Sequence, residues 1–255
     1  MSQQHPTHGH QHVAHPPAAH DAGQPLPDHE PKPMGSELER EFELERLVLF
    51  SDAVFAIAIT LLIIDIKWPD LPANISGINI SGLFVHTYFQ FFAFAISFFF
   101  IGTSWSGHLQ LFRLLRKYDQ GLITRNLFFL FFIVIFPFAA AGMSGHVRTG
   151  FMVPVYLYFA NLSLVSICNF FICRYIFYQK PGLSVEGHHE EKKYIYKKTV
   201  YISWTMSIAT IILIVTGYIF RKNNDFIGYG CSGIAIALAI VNRKAKKYKP
   251  ATTRP

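Results

Sequence analysis

Apolar residues gather in long blocks along this chain. Six of them, about 47 to 66, 84 to 112, 123 to 145, 152 to 175, 200 to 219 and 226 to 242, have the length and character of membrane spans. A helix needs about 20 residues to cross the hydrocarbon of a bilayer, and the sixth block is the shortest. Between the first two blocks, residues 67 to 83 carry Pro72, Gly77 and Gly82, which break helical continuity and predict a loop. Ser36 followed by Glu39 reads as a capping box, and SELEREFELER runs on in register into the first block, so one continuous helix is expected from about 36 to 66. The expected fold class is all-α integral membrane, with six transmembrane helices.

Composition supports a bilayer as the solvent. The chain has 255 residues, 51% of them apolar and only 15% charged, where roughly a quarter would be charged in a soluble domain. Orientation follows from the basic residues. Four of the 23 Lys and Arg, namely Lys67, Arg148, Arg221 and Lys222, fall on one side of the predicted spans and the others on the opposite side, which places both termini in the cytoplasm. The net charge of +7 therefore reflects topology and does not call for a nucleic-acid partner. The basic tail RKAKKYK at 243 to 249 suits anionic lipid at a cell membrane.

Residues 1 to 35 are different material. Seven of the twelve histidines lie there, among Pro, Gln, Ala and Gly, with no apolar core of a signal peptide. Such a tract can gather Zn or Ni, but the expected state is a disordered cytoplasmic tail, and no metal or other cofactor is assigned. The domain reading is thus a tail at 1–35, a six-helix membrane domain at 36–242 and a basic tail at 243–255. Cys168, Cys173 and Cys231 all lie within predicted spans as packing residues, without disulfide spacing.

The first block holds the candidate chemistry. In ERLVLFSDAVFAIAITLLIIDIKW, Ala53, Ile57, Thr60, Leu61 and Ile64 form one stripe, and Asp52 points roughly 140° away from Ile57. A carboxylate inside a bilayer costs a few kcal/mol and must meet water or a partner. Arg46 is about 9 Å along the same helix and roughly 120° around it, an awkward pair. Trp105 and His108, three residues apart near the cytoplasmic end of the second block, share a face at the depth of Asp52 and offer donors. These residues either staple helices together or take part in a conformational or proton-sensing step.

Arg46, Phe50, Ser51 and Asp52 make RxxxFSD followed by AVFAIAITLL, and Trp105 with His108 makes WxxH. With NLFFLFFIVIFP at 126 to 137, these motifs resemble the transmembrane protein 175 family of potassium channels. The resemblance covers the first three spans. It implies a cation channel without a TVGYG-type filter, lined by the first helix of each repeat. Only one RxxxFSD occurs, so it further implies a prokaryotic-type homotetramer of single six-helix repeats, conducting K⁺. The family constriction matches Ile57, with Thr60, Leu61 and Ile64 as further pore positions. Four copies would stack these side chains as rings that narrow and dewet the path. Asp65 sits at the outer mouth, where it either gathers cations or anchors the helix end beside Lys67 and Trp68.

Other classes fit less well. A membrane hydrolase wants HExxH or a Ser/Lys dyad, and His188, His189 and Glu190 fall in a predicted cytoplasmic loop without that spacing, so the chain is not read as an enzyme. The alternative is a proton-coupled transporter, or a proton-permeable channel, using Asp52 and His108. Carriers usually show internal repeats, and none is found.

Overall fold

The computed structural model describes residues 34–64, 66–67, 80–146 and 152–219. Five long helices follow in order: α1 (Met34–Leu61), α2 (Ile80–Phe112), α3 (Gln120–His146), α4 (Val153–Arg174) and α5 (His189–Ile219). A π-helical turn, Tyr175–Gln179, extends α4, and a short turn, Pro181–Leu183, precedes α5. Among the described residues there is no strand; one antiparallel bridge joins Leu115 to Ser184. Among the described residues, four segments are long and apolar enough to cross a membrane: Gln90–Phe112, Gln120–Ser144, Val153–Gln179 and His189–Ile219.

Helix α1 is not among the four. Its amino half is the charged run, and the described helix ends at Leu61 with a turn over 62–64, short of the predicted 66. The other boundaries also move. Helix α2 starts at Ile80, inside the predicted loop 67–83, because Gly82 is tolerated within a helix that gains a long apolar continuation. Helix α5 starts at His189, so Glu190 and Glu191 lie in its first turn, where carboxylates suit the positive end of the helix dipole, and not in a loop. Pro154 sits in the first turn of α4, where its missing N–H costs nothing. Met34 and Gly35 are helical, two residues inside the predicted tail. The rest of that tail, the sixth predicted span with Cys231, the basic tail and Asp65 lie outside the described residues.

Helix α3 is the hub, packing most extensively on α4 and also on α1 and α2, while α5 packs on α4. Phe55, Phe129, Phe136 and Tyr158 are the largest fully buried rings, and Phe136 meets Tyr158 edge-on. Lipid tails are as apolar as these side chains, so association in a bilayer leans on close approach and interhelical hydrogen bonds. Both occur here. The Ser163 hydroxyl lies 2.7 Å from that of Thr210, and the carbonyls of Met206 and Phe159 accept from this pair at 3.0 and 3.1 Å, joining α4 to α5. Asn161 donates from α4 to the Phe132 carbonyl of α3 at 3.0 Å.

Candidate functional site

Helix α1 has two apolar faces. Ser51, Phe55, Ala58 and Leu62, spaced by four, three and four residues, are buried against the bundle. On the other side Ile57 is 59% exposed and Ile64 66% exposed, and Ala53, Thr60 and Leu61 are exposed with them. The stripe read from the sequence is thus a face that meets no partner among the described residues. Thr60 turns its hydroxyl back along the helix, donating to the carbonyls of Ala56 and Ile57 at 3.1 and 2.9 Å. Its oxygen lone pairs stay available on the exposed face.

Where α1 meets α2 and α3, polar side chains form a short relay inside an aromatic cage. Trp105 Nε1–H donates to Asp52 Oδ1 at 2.8 Å, so the carboxylate does find its partner on the second helix. His108 does not join it. His108 Nε2–H donates to Asn126 Oδ1 at 2.9 Å, Asn126 Nδ2–H donates to Ser51 Oγ at 2.9 Å, and the Ser51 hydroxyl donates to the Leu47 carbonyl at 2.9 Å. Ser51, His108 and Asn126 are fully buried. Phe112 stacks on the His108 ring at 3.9 Å between centroids, with Phe55 and Phe129 at 5.7 and 5.6 Å. Nδ1 of His108 has no hydrogen-bond partner among the described residues, which fits the tautomer carrying its hydrogen on Nε2.

The signature residues therefore divide. Ser51 faces inward, Asp52 is half-buried at the edge of the α1–α2 contact, and Arg46 and Phe50 are exposed. Asn126 is the residue that the sequence reading missed as a site member; a lone amide opening a Phe-rich block was the available signal. Among the described residues no group of three or more His, Cys, Asp or Glu is placed to hold a metal ion.

The helical bundle and its apolar segments define a multi-pass, all-helical membrane protein. The family model described as endosomal/lysosomal potassium channel TMEM175 matches residues 46–137. A protein named potassium channel from Streptomyces collinus is 36% identical over 106 residues, which are 42% of this chain and 50% of that one. Mouse endosomal/lysosomal proton channel TMEM175 is 33% identical over 128 residues, 48% of this chain and 26% of the mouse protein. The chain spans about half the length of the bacterial relatives it matches. The crystal structure of a lysosomal potassium-selective channel TMEM175 homolog from Chamaesiphon minutus shares the fold, with a TM-score of 0.59 and 19% identity across 81% of this chain and 96% of that one.

Proposed function

We propose that this chain is a potassium-permeable cation channel of the cell membrane, built from six spans per copy and four copies around an axis lined by α1. The observation that carries the reading is the exposed apolar face of α1, set directly opposite a buried face that is locked to α2 and α3 through Ser51 and Asp52. That this segment lies within 46–137, where the family model matches, adds support.

In the proposed assembly Ile57 forms the narrowest ring, followed by Thr60, Leu61 and Ile64. Apolar rings offer an ion nothing in exchange for its water, so they gate by narrowing and dewetting. The Thr60 hydroxyl is tied to its own helix, and four such oxygens would accept from water or face a partly dehydrated cation. K⁺ gives up water more readily than Na⁺, which favours K⁺ modestly without a filter of backbone carbonyls. Asp65, which lies outside the described residues, is assigned to the outer mouth as a cation-gathering charge, and both termini are assigned to the cytoplasm.

Recording from purified protein in planar bilayers with K⁺ and Na⁺ on opposite sides tests the reading. A current reversing toward the K⁺ equilibrium potential without any co-substrate is expected; a sealed bilayer, or flux that needs a second solute, contradicts it. The name of the mouse relative favours a second reading, proton permeation along the same path, which a reversal potential that follows a pH gradient would reveal. A carrier that shuttles protons between Asp52 and His108 is not favoured by the geometry, since each residue is engaged by a different partner.

A further inference from the structure

The α2–α3 loop ties α1 to the far half of the bundle. Its backbone pairs with the α4–α5 loop: Arg116 N–H donates to the Leu183 carbonyl at 2.8 Å and Val185 N–H to the Leu114 carbonyl at 2.9 Å. Leu114, Leu115 and Leu183 are buried at this junction. The loop then ends in two adjacent side chains that point to different helices.

Asp119 is the anchored member. Its Oδ1 accepts from the Leu122 N–H at 2.8 Å and so caps α3. Its Oδ2 accepts from the Tyr175 hydroxyl in the π-turn and from Lys180 Nζ, both at 2.7 Å. Gly121 makes this reach feasible, because a Cβ there would lie 2.3 Å from the Tyr175 hydroxyl. The Arg125 guanidinium covers the Tyr175 ring at 3.8 Å from its centroid and holds it in place. A second tie, Arg113 to Glu191 at 2.8 Å, links the same loop to α5. Such a π-turn is a frequent mark of functional segments.

Tyr118 is the other member: its half-buried ring packs on the core and its hydroxyl donates to a Glu43 carboxylate oxygen on α1. Glu43 lies fourteen residues before Ile57, a lever of about 21 Å along the helix. The two ties of α1 described above, at Ser51 and Asp52, sit at mid-helix; Glu43 restrains the cytoplasmic end.

We propose that Tyr118 and Asp119 are positioning residues for α1: Asp119 fixes the loop to α3, α4 and the α4–α5 loop, and Tyr118 transmits that position to Glu43, so that movement of α4 and α5 tilts or releases the helix that lines the path. The inference rests on the reading of α1 as the pore helix, and its geometry stands apart from it. A small bias at the end of a long lever shifts a two-state equilibrium by its differential energy in the two states.

The test uses the full chain in lipid nanodiscs and bilayers. Tyr118→Phe removes one hydroxyl and Glu43→Ala removes the acceptor, while Glu43→Gln keeps an acceptor oxygen. Amide hydrogen exchange over residues 43 to 50 should rise about fivefold in Tyr118→Phe and in Glu43→Ala, no further in the double variant, and little in Glu43→Gln. Open probability should change by a similar factor, with the melting temperature, unitary conductance and K⁺/Na⁺ reversal potential unchanged. Wild-type exchange in Tyr118→Phe, or additive effects in the double variant, overturns the latch. Altered exchange with unaltered open probability overturns its positioning role. Altered exchange in a protein that carries no current leaves the latch standing and removes the channel reading instead.

Discussion

Asn126 uses both ends of its amide at once, accepting from His108 and donating to Ser51. Asn126→Leu keeps roughly the same volume but leaves a buried imidazole N–H without an acceptor, so a loss of about 1 to 3 kcal/mol is expected in detergent-based unfolding. Ser51 is less affected because its hydroxyl still reaches the Leu47 carbonyl. The pairing of Asp52 with Trp105 was legible in the sequence, since a charge in a span needs a donor at its own depth and only a few residues qualify. The partner of His108 was not, because helix rotation decides which of two neighbours an imidazole meets, and that rotation is set by Phe55, Phe112 and Phe129 packing around the ring. Asp119 carries a pH prediction. Burial alone would raise its carboxyl, but the bonds from Lys180, Tyr175 and the Leu122 N–H outweigh that and hold it at about 2, below the ordinary 3.8. A lowered folded-state value means that its stabilisation is full above 3.8 and is lost as pH falls through about 2. Thermal melts of Asp119→Asn against the parent should therefore differ above that window and converge below it; curves that stay equally separated down to pH 2 would contradict the assignment.

At the scale of elements, α1 shows how far pattern reading reaches. Its two stripes, Phe55 with Ala58 and Leu62, and Ile57 with Thr60 and Ile64, are similarly apolar, so periodicity alone cannot say which one packs inside the subunit. The neighbours decide it: Phe55 reaches His108 and Phe129, while Ile57 stays 59% exposed among the described residues. Truncation should separate the faces. Phe55→Ala should destabilise the subunit by about 3 to 5 kcal/mol in chemical unfolding, whereas Ile57→Asn should leave folding nearly unchanged and raise leak conductance by wetting the constriction. An unchanged current in Ile57→Asn speaks against the gate. Charge after the α4–α5 connection does not mean loop: Glu190 and Glu191 begin α5 because the helix dipole accommodates them. In the first turn of α3, Gly121→Ala should push Tyr175 off Asp119 and lower the melting temperature, since the displaced ring is buried and covered by Arg125.

At the scale of the molecule, the bilayer explains most of what composition showed. An all-helical bundle follows from the need to satisfy backbone groups within each span, and the sequence made that plain from block lengths alone. The loop ends of the bundle are where the chain adds specific ties, with Asp119, Arg113 and Tyr118 each joining a loop to helices. The proposed assembly rests on the family resemblance, because a face that packs on another copy looks in one chain like any apolar stripe. The central claim is that the Ile57 face of α1 looks onto a shared, water-accessible axis. Recording K⁺ current from Ile57→Cys in a background with the native cysteines replaced by Ser, while a cationic methanethiosulfonate is applied, tests it most directly. A pore-facing Ile57 gives a progressive, irreversible loss of current at Ile57→Cys and none at Phe138→Cys on the exposed face of α3; current that persists after mass spectrometry shows position 57 fully modified places that face away from the path.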